Sequence, residues 1–413
     1  MVFMHLADLH LGKMLHGVSL LESGDQTDWV EKLLALTEER RPDAVVVAGD
    51  VYDRGMPSGA AVQLFSRLVT GLAAMDVPVL ITAGNHDSGQ RLDCFRELLA
   101  RQKVFISGVP GKALTHVTLT DEYGDVTFWL LPYLFPAAAA HALGDDSIRD
   151  YDTAVRRILS AQGIDFGARN VIIAHQNVTA GGAEGPRGGS ESVVGGVGQV
   201  DYSAFDGFDY AALGHIHAAY AVGREAVRYA GSPLCYHFDE LRQPKKGPLL
   251  VTLGEKGAPV GLETLHIPPL HPLRELRGTY DEVTAQASRS GRGEYVKLVL
   301  TDRPLTPEIG DYFQTFFQAR GSVLMERTSE FRRFAAPGET PEAEKLRDKS
   351  VEELFADFYT ERYGGEAPDE EDLSLMRFAA ELLRNAPPET GRPEDSPLPG
   401  RLLEHLFKGG AAK

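Results

Sequence analysis

The chain has 413 residues, of which 43% are apolar, 24% charged and 8% aromatic, and this composition excludes a disordered, collagen-like or coiled-coil protein. The formal net charge is −17, and residues 335–413 contribute −8 of it through 10 basic and 18 acidic side chains. A charge of this sign opposes broad attraction to nucleic acid, so any polyanion must be met by local cations, by bound metal or by a partner.

Five short apolar runs in the first half of the chain each end abruptly in polar residues. The runs are 2–7, 44–48, 77–83, 171–174 and 210–213. Amphipathic stretches such as 27–39 and 60–74 alternate with them. Because short runs rich in β-branched residues between helices are typical of strands buried on both faces, we predict an α/β architecture.

The second half has a different pattern. A strand at 295–300, a helix at 309–319 and a strand at 322–325 predict a small separate α+β module. A linker at 335–341 precedes two amphipathic helices, 351–362 and 369–385. Their apolar stripes consist of Val351, Leu354, Phe355 and Phe358, and of Leu373, Met376, Ala380 and Leu383. Such stripes either dock on a partner or pack back on the chain itself.

Other features bear on loops and compartment. The glycine-rich segment 179–199 follows His175 and is either a mobile loop beside the site or a plain connection. Cys94 and Cys235 cannot form a disulfide framework and are expected to be small buried side chains in a cytoplasmic protein. No apolar run reaches the ~20 residues of a membrane span, and Asp8 comes too early for a secretory signal.

Polar residues that follow the five apolar runs are candidate metal ligands. They are Asp8, His10, Asp50, Asn85, His175, His215 and His217. The i, i+2 spacing of Asp8-x-His10 and of His215-x-His217 projects each pair from one side of an extended chain. Because ligands collect beyond the carboxyl ends of strands in α/β sheets, we expect one convergent site. Nitrogen and oxygen donors without thiolate favour Mn, Fe, Zn or Ni, and seven ligands suit two ions.

Two adjacent cations can activate a water and clamp a phosphate for in-line displacement. His86 is then the candidate proton donor to the leaving oxygen, with Asp87 orienting its imidazole. Each motif alone has a plainer explanation: Asn85 suits a left-handed turn, and Asp53 suits a helix N-cap or a turn. The joint occurrence at five strand ends favours the metal site.

These motifs resemble the signature of the calcineurin-like metallophosphoesterases. It comprises Asp8-x-His10, Gly49-Asp50-x-x-Asp53, Gly84-Asn85-His86-Asp87, His175 and Gly214-His215-x-His217. The resemblance implies a sandwich of two mixed sheets flanked by helices, and a dinuclear centre. It places Asp8, His10, Asp50 and His217 on one metal and Asp50, Asn85, His175 and His215 on the other, with His86 as the catalytic histidine.

Longer stretches around these motifs, with 229–233, resemble the SbcD nuclease family over nearly the whole chain. That resemblance implies a metallophosphoesterase domain at 1–270, a capping and DNA-binding domain at 271–335, and a linker with a helical pair at 336–413 that binds the ATPase SbcC. It also implies two Mn²⁺, or Mg²⁺ or another divalent ion, and exonuclease and endonuclease action on double-stranded ends, hairpins and single strands. A homodimer within a heterotetramer is the implied assembly.

Two details depart from the family pattern. Ala7 and Leu9 stand where that family usually has Ser and an aromatic residue, but neither position is a ligand. Asp53-Arg54-Gly55 resembles the protein Ser/Thr phosphatases, whose arginine at that place holds phosphate. A phosphatase or phosphodiesterase acting on small substrates therefore stays an alternative, as does a DNA-end tethering scaffold in which cleavage is incidental.

Overall fold

The computed structural model describes residues 1–182, 185, 198–243 and 246–331, with single positions between 355 and 376. The strands of these residues are β1 (Val2–Leu6), β2 (Met14–Leu15), β3 (Val18–Ser19), β4 (Ala44–Ala48), β5 (Val79–Thr82), β6 (Val104–Ser107), β7 (Thr115–Asp121), β8 (Gly124–Leu131), β9 (Arg169–His175), β10 (Asn177–Thr179), β11 (Gln199–Asp201), β12 (Tyr210–Gly214), β13 (Ala221–Val222), β14 (Arg224–Tyr229), β15 (Leu249–Thr252), β16 (Gly261–Thr264), β17 (Leu273–Gly278), β18 (Tyr295–Leu300) and β19 (Val323–Ser329). The α-helices are α1 (Asp25–Arg40), α2 (Gly59–Ala74), α3 (Gly89–Leu92), α4 (Arg96–Ala100), α5 (Pro136–Leu143), α6 (Tyr151–Ser160), α7 (Tyr280–Ser288) and α8 (Pro307–Gln318), and two 3₁₀ helices span Tyr202–Phe205 and Phe238–Arg242.

Two six-stranded mixed sheets form the main body. The first has the strand order β16-β15-β1-β4-β5-β6, in which β1, β4, β5 and β6 are parallel. The second has the order β13-β14-β12-β9-β8-β7, in which β14, β12, β9 and β8 are parallel. Each parallel set is edged by antiparallel strands.

Strand β4 shows why the sheets are buried on both faces. Val45 and Val47 pack toward α1 and α2, while Ala44, Val46 and Ala48 pack toward the second sheet. Because side chains alternate along a strand, a run without polar residues requires an apolar neighbour on each face. Helices α5 and α6 cover the outer face of the second sheet. The predicted sandwich of two mixed sheets flanked by helices is confirmed.

The third sheet is the parallel set β17-β18-β19. Helices α7 and α8 connect its strands, and Phe313 and Phe317 of α8 are fully buried with the core of this module. Helix α8 begins at Pro307, two residues before the predicted start, because Thr306 caps the amide of Ile309. The module contacts α1, since Tyr295 donates a hydrogen bond to the Asp25 carboxylate at 2.7 Å.

The chain divides into two compact units, Met1–Phe331 and Arg332–Lys413, and the predicted boundaries at 270 and 335 stay predictions. In the second unit, Phe355, Leu373 and Met376 lie in helical turns and are half-buried. The predicted partner-binding residues Val351, Leu354, Phe358 and Leu383 lie outside the described residues, as does most of the glycine-rich segment. No helix in the described part of the chain is long and apolar enough to cross a membrane.

The expectation that both cysteines are buried is wrong for Cys94. This residue lies in the connection between α3 and α4 and is exposed, while Cys235 is half-buried. Short helices at the surface leave little apolar contact for a side chain between them. The apolar character of a cysteine therefore did not determine its position.

Candidate metal centre

Parallel strands of both sheets end at one edge of the sandwich, and the candidate ligands lie there. Asp8 follows β1, Asp50 follows β4, and His175 is the last residue of β9. The Nδ1 of His175 donates to the carbonyl oxygen of Ala48 at 2.8 Å, which joins the two sheets at this edge. The expected convergence of ligands from separate strand ends is present in the structure.

The backbone turns sharply after β1 and after β4. Asp8, His10 and Asp50 have φ of 54°, 43° and 48°, in the left-handed region that few non-glycine residues occupy. Such strained conformations are characteristic of functional sites. Gly84 meets a different constraint, because a Cβ at this position would overlap the Asp50 carboxylate. The glycine before Asn85 therefore allows two ligand loops to approach each other.

One group of donors comprises Asp8, His10 and His217. Their ligating atoms lie within 4.8 Å of one another, and all three side chains are buried. The Nε2 atoms of His10 and His217 are 3.1 Å apart. Two imidazole nitrogens this close, beside a carboxylate, can bind one cation together.

Asp50 links this group to the remaining donors. Its Oδ2 lies 3.5 Å from Nε2 of His10 and 3.3 Å from Nε2 of His175. The Oδ1 of Asn85 lies 3.0 Å from Nε2 of His175 and 3.1 Å from Nδ1 of His215. Asp50 is therefore placed between two sets of donors, as a bridging carboxylate would be.

Burial controls the charge of these groups. It lowers the pKa of His10 to about 4 and that of His215 to about 3, so both imidazoles are neutral at neutral pH. Burial alone would raise the pKa of Asp50, but His175 holds it well below its usual range. Burial would lower the pKa of His175, but Asp50 and Asp8 raise it to about 9. A cation and a proton on His175 would satisfy the same carboxylates, so metal binding competes with protons.

The donor set fits a divalent metal. Oδ2 of Asp8 is buried and has no hydrogen-bond partner among the described residues, and burial raises the pKa of this carboxyl to about 7. An unpartnered carboxylate oxygen is costly in a protein interior. A bound cation beside His10 and His217 would remove that cost.

His86 and Asp87 lie beside the donors, but the Asp87 carboxylate does not orient the His86 imidazole as the sequence predicts. Nδ1 of His86 donates to the carbonyl oxygen of Asp53 at 2.9 Å. The Asp87 carboxylate instead accepts the amides of Val51, Tyr52 and Gly84 at 2.9 to 3.1 Å. Asp53 therefore orients the imidazole through its carbonyl, whereas Asp87 joins the loops that carry Asp50 and Asn85.

The role of Asp53, left open by sequence, has a structural answer. Its Oδ1 lies 2.9 Å from Nζ of Lys13 and 3.4 Å from Nδ1 of His10. Burial alone would raise its pKa, but His10 and Lys13 lower it below the usual range. Its side chain therefore lies between Lys13 and a candidate ligand. Arg54 is 77% exposed in its side chain and lies 3.8 Å from the Asp53 carboxylate.

Sequence reasoning missed Glu240 and Lys246. Glu240 is buried, with Oε1 3.5 Å from Nδ1 of His217, and Lys246 pairs with its other oxygen at 2.8 Å. Neither residue has a motif spacing to the ligands. Asp239 stands directly beside Glu240 in the sequence, so no sequence signal distinguishes the buried carboxylate from its neighbour.

Residues 1–219 match the family described as calcineurin-like phosphoesterase, which covers more than half of the chain. The chain belongs to the calcineurin-like phosphoesterase family. Residues 269–363 match a second family, named SbcD_C and described as the type 5 capsule protein repressor C-terminal domain. Together the two matches identify an SbcD-type phosphoesterase, a metal-dependent phosphoester hydrolase.

One solved structure with 12% identity is similar to this phosphoesterase over 64% of this chain and 98% of its own chain. Its TM-score is 0.36. Similarity at this level assigns no role to any residue of the phosphoesterase.

Proposed function

We propose that this SbcD-type phosphoesterase is a DNA nuclease subunit that hydrolyses phosphodiesters at or near DNA ends, as exonuclease and endonuclease, in DNA repair and recombination. The observation that carries the proposal is the gathering of seven nitrogen and oxygen donors, Asp50 among them, from five strand ends. The second family match, at 269–363, is to an SbcD-type domain. It therefore favours DNA as the substrate over other phosphoesters, and SbcC as the partner.

Two Mn²⁺ ions are the proposed cofactors, with Mg²⁺ or another divalent ion as alternatives. Asp8, His10, Asp50 and His217 would hold one ion, and Asp50, Asn85, His175 and His215 the other. When bound, two such ions polarise a phosphate and lower the pKa of a water.

His86 is the proposed catalytic acid. Because its Nδ1 donates to the Asp53 carbonyl, the proton available for transfer is the one on Nε2. The amide of His86 also donates to Oδ1 of Asp50 at 2.9 Å. Movement of the bridging carboxylate would therefore move the catalytic imidazole with it.

The proposed partners are DNA, the ATPase SbcC and a second copy of the chain, in a homodimer within a heterotetramer. Support for SbcC comes from the two apolar stripes of the C-terminal segment, which need a surface to bury them. The arginines at 289, 292, 320, 327, 332 and 333 are the proposed DNA contacts of the capping module, since the net charge of −17 opposes broad attraction.

A degradation assay tests the function. The substrates are linear and circular DNA of one sequence, with Mn²⁺, in the presence and absence of the ATPase. We expect manganese-dependent cleavage that prefers the linear substrate when the ATPase is present. Hydrolysis of small phosphate esters without DNA cleavage would favour the phosphatase alternative, and DNA binding without any hydrolysis would favour the tethering scaffold.

A further inference from the structure

We propose that Glu240 and Lys246 are positioning residues, which hold the imidazole of His217 in the orientation that binds metal. The inference rests on the metal centre proposed above, and it concerns residues outside the ligand set. It also gives a role to Ser232, which belongs to a motif that the metal site does not otherwise use.

Glu240 faces the nitrogen of His217 that points away from the other ligands. Its Oε1 lies 3.5 Å from Nδ1 of His217, while Nε2 of His217 lies 3.1 Å from Nε2 of His10. An imidazole that donates its Nδ1 hydrogen to a carboxylate keeps the Nε2 lone pair for a metal. Glu240 therefore selects the tautomer of His217 that a cation on the His10 side requires.

Lys246 holds the same histidine from its backbone. Its Nζ donates to the carbonyl oxygen of His217 at 2.7 Å and to Oγ of Ser232 at 2.7 Å. The amide of Ser232 donates to the same His217 carbonyl at 3.1 Å. Lys246 thus fixes the main chain of His217, and Glu240 fixes its ring.

The charges of the pair are balanced inside the protein. Glu240 is 1% exposed, and Nζ of Lys246 lies 2.8 Å from its Oε2. Burial alone would raise the pKa of Glu240, but His217 and Lys246 hold it below the usual range. A buried ion pair adds little stability compared with apolar residues of the same volume, so its placement against a candidate ligand points to positioning.

The segment that carries Glu240 is firmly anchored. Glu240 lies in the 3₁₀ helix Phe238–Arg242, and Phe238 is fully buried. The Nζ of Lys297, from the third sheet, lies 5.9 Å from the centre of the Phe238 ring. A carboxylate on an anchored turn can fix the ring of His217 more narrowly than one on a free loop.

Metal titration of the full chain tests the proposal with Mn²⁺ alone and no DNA. Glu240→Ala should weaken one of the two Mn²⁺ affinities by about 10- to 100-fold. Glu240→Gln should weaken it less, because its amide oxygen still accepts from Nδ1. The visible spectrum of bound Co²⁺ should change in Glu240→Ala. Glu294→Gln is the matched control, since Glu294 is also buried but pairs with Arg274 of β17 at 2.8 Å. The Mn²⁺ affinities of this variant should equal those of the wild type.

The result that would overturn the proposal is a lower melting temperature in both Glu240 variants with Mn²⁺ affinities and Co²⁺ spectra unchanged, because Glu240 would then be only structural. A wild-type chain that binds no Mn²⁺ would overturn both this proposal and the proposed metal centre. The two proposals can also fail separately. If Glu240→Ala binds Mn²⁺ more weakly than the wild type but the wild type cuts no DNA, the positioning role is supported and only the nuclease function is contradicted.

Discussion

At the scale of single residues, the site depends on side chains that are close in space because a glycine leaves room for them. A Cβ at Gly84 would overlap the Asp50 carboxylate. That carboxylate lies between His10 and His175 and accepts the amide of His86. A displacement at Gly84 would therefore reach both sets of donors and the imidazole of His86, the proposed catalytic acid.

Gly84→Ala should lower activity about 100-fold, the usual cost of a misplacement of about 1 Å at a reacting centre. It should also weaken Mn²⁺ binding, measured by titration calorimetry. Gly59→Ala is the matched control, because Gly59 begins α2 with open space around it. The free energy of unfolding of this variant should rise by up to about 1 kcal/mol. Equal activity in the two variants would show that the Asp50 carboxylate is free to move.

His86→Ser should lower DNA cleavage by roughly 10²- to 10⁴-fold, the usual contribution of a general acid. Mn²⁺ should remain bound, because the seven proposed ligands are intact. Single-turnover cleavage and metal titration of the same preparation measure the two properties. Full nuclease activity in this variant would remove His86 from the mechanism.

Candidate metal ligands could be predicted from the sequence where a short motif directly follows a strand. Asp8, Asp50 and His175 could be predicted because each ends an apolar run. The contact between Asp53 and His86 could not, because Asp87 is the sequence neighbour and backbone amides already occupy its carboxylate. Adjacency in sequence was a poor guide inside a tight turn.

At the scale of elements, the two sheets are joined at the end opposite the site by charged groups. Arg169, the first residue of β9, donates to Asp121 of β7 and to the carbonyl of Gly254. The amino group of Met1, which precedes β1, contacts the same Asp121 carboxylate. One carboxylate therefore links strands of both sheets.

This arrangement predicts how stability depends on pH. Arg169 holds the pKa of Asp121 below its usual range, so its contribution is present above the unfolded value of about 3.9 and is lost as pH falls through the lower folded value. Asp121→Asn should lower the melting temperature at neutral pH and make it less dependent on pH in the acid range. Thermal unfolding followed by circular dichroism measures both, and parallel curves for the two proteins would contradict this role.

Elements with a plain hydrophobic pattern were predictable, and their ends were less so. The strand at 295–300 matches β18, and the helices at 27–39 and 60–74 match α1 and α2 closely. The strand predicted at 322–325 continues to Ser329 as β19, although its last residues are charged or polar. Pairing with β18 extends it, and a single sequence does not show pairing.

At the scale of the whole molecule, the net charge of −17 bears on how the proposed DNA substrate and partner would bind. Deleting residues 336–413 should abolish SbcC binding, because it removes both apolar stripes, while manganese-dependent cleavage of single strands persists. A pull-down with the ATPase and a cleavage assay on single strands check these outcomes. Retained SbcC binding would contradict the proposed docking segment.

The salt dependence of DNA binding belongs to the same scale. With a net charge of −17, the isolated chain should bind duplex DNA weakly, and adding SbcC should tighten the binding. Fluorescence anisotropy over a salt series measures the affinity for DNA and the slope of its logarithm against the logarithm of the salt concentration. Tight binding by the isolated chain with a steep salt slope would contradict the assignment of most DNA affinity to the partner.

The proposed function depends on two cations held by Asp50 and the six donors around it. Crystals grown with Mn²⁺ and measured at the manganese absorption edge test this claim most directly. We predict two anomalous peaks, one beside Asp8, His10 and His217 and one beside Asn85, His175 and His215, with Asp50 contacting both. A map at saturating Mn²⁺ with no peak among these side chains would contradict the account.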